Sequence, residues 1–151
     1  MKTEKLIIKN KKAYFDYSFL DTYIAGIVLT GTEIKSIREH KCSLVDTYCY
    51  INNNEIWLKN SYIAEYKNKG YMTHDERRER KLLLRKQEIK KLEKEVKTPG
   101  LTIIPLKFFI NKNGFCKVEI ALCKGKKEYD KREDIKQKDA KREIDRYMKN
   151  F

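Results

Sequence analysis

The stretch that most restricts what this chain can fold into runs from Leu101 to Cys123. Leu101 to Ile110 and Phe115 to Cys123 are rich in aliphatic, β-branched and aromatic residues. Between them lies Asn111-Lys112-Asn113-Gly114, and Asn-Gly supplies the positive φ that a tight hairpin turn requires. In the second stretch Cys116, Val118, Ile120 and Leu122 point one way while Lys117, Glu119 and Ala121 point the other. Such alternation belongs to an antiparallel strand with one buried face, and it leaves Lys117 on the outer side.

Other segments read in the same terms. After Asn10, KKAYFDYSFLDTYIAGIVL suits two strands meeting near Leu20 to Thr22. Thr30-Gly31-Thr32-Glu33 fits a capping box, so a short helix is predicted through Arg38 with Ile34 and Ile37 on one side. Ser43 to Ile51 and Glu55 to Lys59 are strand-like around a turn at Asn52-Asn53-Asn54. The polar run from Lys67 to Glu79 reads as a long exposed loop. Leu82, Ile89, Leu92 and Val96 then predict a helix with a narrow apolar stripe, ended by Pro99-Gly100. Beyond Lys124 apolar residues thin out, too few to offset the entropy of ordering the segment. The expected fold is mainly β with short helices: an OB-like antiparallel β-barrel over residues 1–123 and a basic C-terminal tail, 124–151, flexible when free.

Charge points to the partner. The chain carries a formal +13, from 35 Lys+Arg against 22 Asp+Glu, yet 40% of its residues are hydrophobic, so a folded body with a basic surface is expected. Arg77 to Lys97 and Lys124 to Phe151 hold most of the surplus, and positive charge so gathered attracts polyanions, nucleic acid first. A membrane is disfavoured, since no apolar run approaches the roughly 20 residues of a span. Leu6-Ile7-Ile8 is too short for a signal peptide, which predicts a cytoplasmic protein. Lysines and arginines would neutralise phosphates while exposed members of the ten tyrosines stack on unpaired bases. Arg77, Arg78, Arg80 and Lys81, placed on a helix in this reading, are candidates for such contacts.

Catalytic and metal chemistry find little support. No nucleophile with a neighbouring histidine, no Gly-rich phosphate loop and no H-E-x-x-H motif is present. Cys42, Cys49, Cys116 and Cys123 are spaced too widely for zinc pairs, even counting His40 and His74, and read as buried, inert thiols. No cofactor or metal is expected. Glu33, Asp46 and Asp75 are weak candidates for a magnesium site in an RNA-processing enzyme, because Glu33 already has a capping role. A single-strand RNA barrel is the other alternative.

Several stretches together resemble the SmpB family, the SsrA-binding partners of transfer-messenger RNA (tmRNA). They are Asn10 to Ala13, Ala25 to Arg38 (AGIVLTGTEIKSIR), Arg80 to Leu84, Lys117 to Ala121, and Gly125-Lys126-Lys127 through Asp130 to Lys136, in the family's order. The resemblance implies an OB-like barrel that binds the tRNA-like domain of tmRNA and brings it to stalled ribosomes for trans-translation. Elongation factor Tu would be met only indirectly, through the charged tmRNA. Asn10, Lys11, Lys12, Lys117 and Lys124 would face the RNA by position, with Lys35, Arg38, Arg80, Lys81, Lys126 and Lys127 as further candidates. Asp130, Lys131 and Arg132, followed by Lys136, Lys138, Lys141 and Arg142, would probe the decoding centre and the empty mRNA channel. The chain departs from the family at Ile24, commonly acidic, at Phe15, often histidine, and at Glu76 and Glu79, usually proline.

Overall fold

The computed structural model describes residues 6–66 and 73–149. Its elements are β1 (Leu6–Lys9), α1 (Lys11–Asp16), β2 (Tyr17–Ile27), α2 (Gly31–Arg38), β3 (Cys42–Ser43), β4 (Tyr48–Asn52), β5 (Glu55–Lys59), β6 (Tyr62–Ile63), β7 (Arg80–Leu83), α3 (Lys86–Glu95), β8 (Leu101–Ile110), β9 (Cys116–Gly125) and α4 (Glu128–Lys149). The β8–β9 hairpin turns at Gly114, with φ at 85°, while Asn111 Oδ1 accepts from the Asn113 and Phe115 amides at 3.1 and 3.0 Å. The β4–β5 turn places Asn53 and Asn54 at φ 51° and 61°, the two left-handed residues of a type I′ loop.

Around the ring β9 pairs with β2, β2 with β7, β7 with β5, β5 with β4, and β4 with the start of β8. Because β8 also pairs with β9, the antiparallel strands close into a barrel, and β1 extends it along the second half of β8. Ile56, Leu58, Leu82, Phe108, Val118 and Ile120 fill the interior, joined by Ile37 of α2 and by Ile89 and Leu92 of α3. A smaller cluster of Ala13, Ile104, Leu106, Ala121 and Cys123 lies on the other side of the sheet. Ala121, outward by alternation, is thus fully buried, because Ala13 of α1 packs there with Tyr17 and Phe19.

Four local expectations are corrected. Lys11–Asp16 is helical, not a strand, because Asn10 Oδ1 accepts the Ala13 amide at 3.3 Å and caps a turn. β2 then runs unbroken through the expected meeting point of two strands, where Leu20 is accommodated by a register shift between Phe19 and Asp21. Leu82 belongs to strand β7, fully buried opposite Ile56 and Ile27, so the helix starts only at Lys86, after an Arg85–Glu88 capping turn. The expected strand from Ser43 to Ile51 is interrupted at Leu44–Thr47, where Asp46 has φ 56°. Part of the expected exposed loop, 67–72, lies outside the described residues. Within 73–79, His74 is buried: its Nε2 donates to the Ile63 carbonyl and its Nδ1 shares a hydrogen bond with Thr32 Oγ1, both at 2.9 Å.

Cys116 and Cys123 occupy different clusters on opposite faces, as their odd spacing demands. Burial pushes the Cys42, Cys116 and Cys123 thiols up to about 12, against a small opposing effect of Arg80 on Cys42, and raises Cys49 as well. A thiolate-selective reagent at pH 8 is therefore expected to leave all four thiols unmodified in the native protein and to titrate all four in denaturant. Rapid native labelling of any of them would contradict the packing described.

Candidate nucleic-acid interface

Register places a cationic face on the outside of the barrel. Ile7, Phe109, Lys117, Gly26 and Leu83 are successive partners across β1, β8, β9, β2 and β7, on the side of the sheet opposite Phe108, Val118 and Ala25. Two residues further along the strands come Lys9, Lys107, Glu119 and Ile24. Lys107 Nζ lies 5.3 Å from the Phe109 ring centroid, and Ile24 and Leu83 are 51% and 52% exposed. Gly26 has a steric reason to be glycine, since a Cβ there would come within 3.2 Å of Leu83 Cβ. Ile24, where an acid is usual, stands opposite Glu119, so negative charge persists one strand away. Lysines beside exposed apolar side chains suit a folded RNA held through phosphates and base or sugar surfaces.

Beneath the β7 edge of this face lies an ion-pair network. Arg80 is fully buried, and its Nε donates to Glu33 Oε2 at 2.5 Å. Nη1 donates to the Ser61 carbonyl and hydroxyl at 3.0 and 2.8 Å, and Nη2 to the carbonyls of Asp75 and Glu76 at 3.3 Å. Glu33 Oε1 accepts from Arg78 at 2.6 Å and from the Thr30 amide at 2.9 Å, completing the capping box of α2. Burial raises the Glu33 carboxyl, but the bonds from Arg78, the Thr30 amide and Arg80 outweigh it and hold the group below its ordinary range.

Two expected RNA contacts are corrected here. Arg80 cannot reach a ligand, because the core encloses it and its donors are taken. Asn10, 3% exposed, is also structural: its Nδ2 donates to the Leu44 and Pro105 carbonyls at 3.0 Å while its Oδ1 caps α1. Both belong to short runs of basic or polar letters, and sequence has no signal to separate the member that turns inward.

The remaining candidates divide into groups. Lys11, Lys12, Lys124 and Lys127 are exposed at the α1 and β9 ends, although Lys12 pairs with Asp46 at 3.1 Å. Lys126 is engaged by Asp134 and by the Tyr14 carbonyl, and Lys81 by Glu55 at 3.3 Å. Lys35 lies 5.2 Å from the Tyr66 ring centroid, and Arg38 is exposed at the end of α2. Lys117 and Lys124 are not brought together: seven positions on one strand separate them by about 23 Å at ~3.3 Å per residue. Lys9 and Lys107 escaped the sequence reading; the signal available was a single lysine interrupting each apolar strand.

The tail forms helix α4, with Asp130, Lys131, Arg132, Lys136, Lys138, Lys141 and Arg142 along it. Lys124 and Gly125 still belong to β9, so the helix leaves the barrel slightly later than the expected boundary at residue 124. Its first turns meet α1, where Lys131 Nζ lies 3.3 Å from Asp16 and 5.7 Å from the centroid of the Phe15 ring. Phe15, in place of a common histidine, thus underlies the tail. Asp134 pairs with Lys126, and Asp139 with Arg142 at 3.8 Å. Glu79 accepts the Tyr50 hydroxyl at 2.7 Å, which ties that departure from proline into the fold, while the Glu76 backbone carbonyl accepts the Ile63 amide at 2.9 Å, a bond that a proline could equally make. No helix among the described residues is long and apolar enough to cross a membrane.

Comparison with known proteins accords with this architecture. The SmpB protein family model matches residues 7–150. An SsrA-binding protein of Phocaeicola vulgatus is 60% identical over 149 residues, 99% of either chain, and one of Bacteroides thetaiotaomicron is 56% identical over the same span. An SsrA-binding protein of Sulfurihydrogenibium sp. is 54% identical, covering 97% of this chain and 96% of its own. A solved chain described as "tmRNA-SmpB: a journey to the center of the bacterial ribosome" superposes with a TM-score of 0.69 at 43% identity, covering 81% of this chain and 85% of its own. With likeness running through barrel and tail alike, the chain belongs to the SmpB family.

Proposed function

We infer that this chain is an RNA-binding protein, not an enzyme, which holds the tRNA-like domain of tmRNA and delivers it to stalled ribosomes for trans-translation. The observation that carries the reading is the outer barrel face, where Lys9, Lys107 and Lys117 share one side of the sheet with exposed Ile24 and Leu83 in a chain 60% identical to an SsrA-binding protein. Such a face grips RNA by shape and phosphate rather than by reading bases. Lys11, Lys12, Lys124 and Lys127 extend the contact around α1, and α4 serves the ribosome through Asp130, Lys131, Arg132, Lys136, Lys138, Lys141 and Arg142. The tail occupies the decoding centre and mRNA channel only when no message fills them, so it detects absence by steric exclusion. Elongation factor Tu is met only through the charged tmRNA, and the protein works in the cytoplasm.

Replacing Lys117 and Lys124 together with glutamine is expected to weaken binding to the tRNA-like domain and to flatten its dependence on log salt concentration by about one unit per lost phosphate contact. Titration of labelled RNA over a salt series measures both. An unchanged slope, together with equal affinity for ordinary tRNA, would overturn the assignment.

A further inference from the structure

An aromatic ring stands in water at the tip of the β8–β9 hairpin. Phe115 is 65% exposed, more than any other large apolar side chain of the barrel among the described residues, whereas Phe108 and Phe109 of the same hairpin are buried. Its backbone is fixed on both sides. The Asn111 amide donates to the Phe115 carbonyl at 2.9 Å, the Phe115 amide donates to Asn111 Oδ1 at 3.0 Å, and the Gly114 amide closes the turn onto the Asn111 carbonyl at 3.0 Å. These bonds use the main chain and Asn111, so the turn makes no demand on the side chain at 115.

Alternation decides which way the ring faces. Cys116 enters the barrel interior and Lys117 points outward, so Phe115 stands on the Lys117 side. It continues the outer face that carries exposed Ile7, Ile24 and Leu83. Two cations flank it, Lys112 in the turn and Lys117 two residues on, while Glu119, the one acid of β9, lies about 13 Å along the strand at ~3.3 Å per residue. Among the described residues no ring or cation contact engages Phe115. A ring on so fixed a backbone loses little conformational freedom when a partner covers it. Phenylalanine offers no hydrogen bond, so it suits a flat face such as an unpaired base, whose phosphates suit the flanking lysines. An apolar protein patch would match the ring but leave those lysines unanswered.

We propose that Phe115 stacks on an unpaired base of the tRNA-like domain, ending the outer-face contact at the hairpin tip. The proposal rests on the barrel-face reading given above. It adds to that reading a contact that does not depend on charge.

Phe115→Ala in the full chain should weaken binding to the isolated tRNA-like domain at least about fivefold, the lower end of what one stacked base contributes, with the slope against log salt concentration unchanged. Its urea midpoint should match the parent's, because an exposed ring contributes little to folding. Phe115→Trp should bind as the parent does and Phe115→Leu should not, since leucine keeps apolar area but has no π face. A smaller loss for Phe115→Ala, or leucine binding as tightly as tryptophan, would overturn the stacking. So would a loss seen only with stalled ribosomes, which would set the ring against a different partner. The Lys117/Lys124 variant is titrated in parallel. If it weakens binding while Phe115→Ala does not, the stacking alone fails; if both bind like the parent, the barrel-face reading fails with it.

Discussion

Glu33→Gln is expected to lower the free energy of unfolding by about 3–5 kcal/mol, the cost of leaving a buried charge without its counter-ion. The substitution keeps the size of the side chain but removes the negative charge facing Arg80 Nε at 2.5 Å and Arg78 at 2.6 Å. Arg80 has no route to water, since its side chain is fully buried. A small domain has only about 5–15 kcal/mol of stability, so the variant should unfold at far lower urea concentration or fail to accumulate. Arg80→Met should cost a comparable amount, yet the double variant should lose less than the sum, because one apolar group then replaces a satisfied network. A loss below about 1 kcal/mol for Glu33→Gln, or strict additivity in the double variant, would show that the network contributes little.

The pair also sets an acid limit. The Glu33 carboxyl is held below its unfolded value, so its stabilisation is complete above that ordinary carboxylate range and disappears as pH falls through the depressed folded value. Wild-type stability should therefore drop steeply at acid pH, and Glu33→Gln should lack that part of the drop. Urea midpoints taken across the acid range for both proteins would measure the difference.

Truncation after Lys127 is expected to abolish tagging on stalled ribosomes while leaving affinity for the tRNA-like domain nearly intact. The body should survive it. What ties α4 to the barrel includes the Lys131–Asp16 and Lys126–Asp134 pairs, and partly exposed ion pairs contribute about 0–1 kcal/mol each. Along α4, Ile135, Ile144 and Met148 are 48%, 62% and 69% exposed, so little apolar burial is lost with the helix. Unfolding midpoint, RNA titration and an in vitro tagging assay together separate the parts: parallel loss of RNA affinity and tagging would mean that α4 also holds the RNA. Removing α4 also frees Asp16, Phe15 and Lys126, so a modest change in RNA affinity would be traced to α1.

Much of the fold was legible because its signals are local. Asn-Gly before Phe115, Asn53-Asn54 and the Thr30–Glu33 box each dictate backbone geometry within a few residues, and each appears where expected. The period of two in β9 likewise predicted which side chains enter the barrel interior, with Lys117 outward, but not the burial of Ala121 beneath α1 on the other side. Errors arose where a short-range pattern had two solutions. The spacing from Leu82 to Ile89 satisfies a helix, but pairing Leu82 with Ile56 and Ile27 buries it fully, and that choice depends on strands far away in sequence.

Sequence by itself determined the hairpins, the capped helix α2, the surplus of positive charge and, through several ordered stretches, membership of a family. It did so because turn chemistry, alternation and charge are properties of neighbouring residues. Only the tertiary structure decided that Arg80 and Asn10 serve the interior, that Lys9 and Lys107 join Lys117 on one face, and that Lys91 of α3 pairs with Asp21 of β2. Those facts depend on which distant strand or carboxylate lies opposite each side chain, and that is settled when the barrel closes.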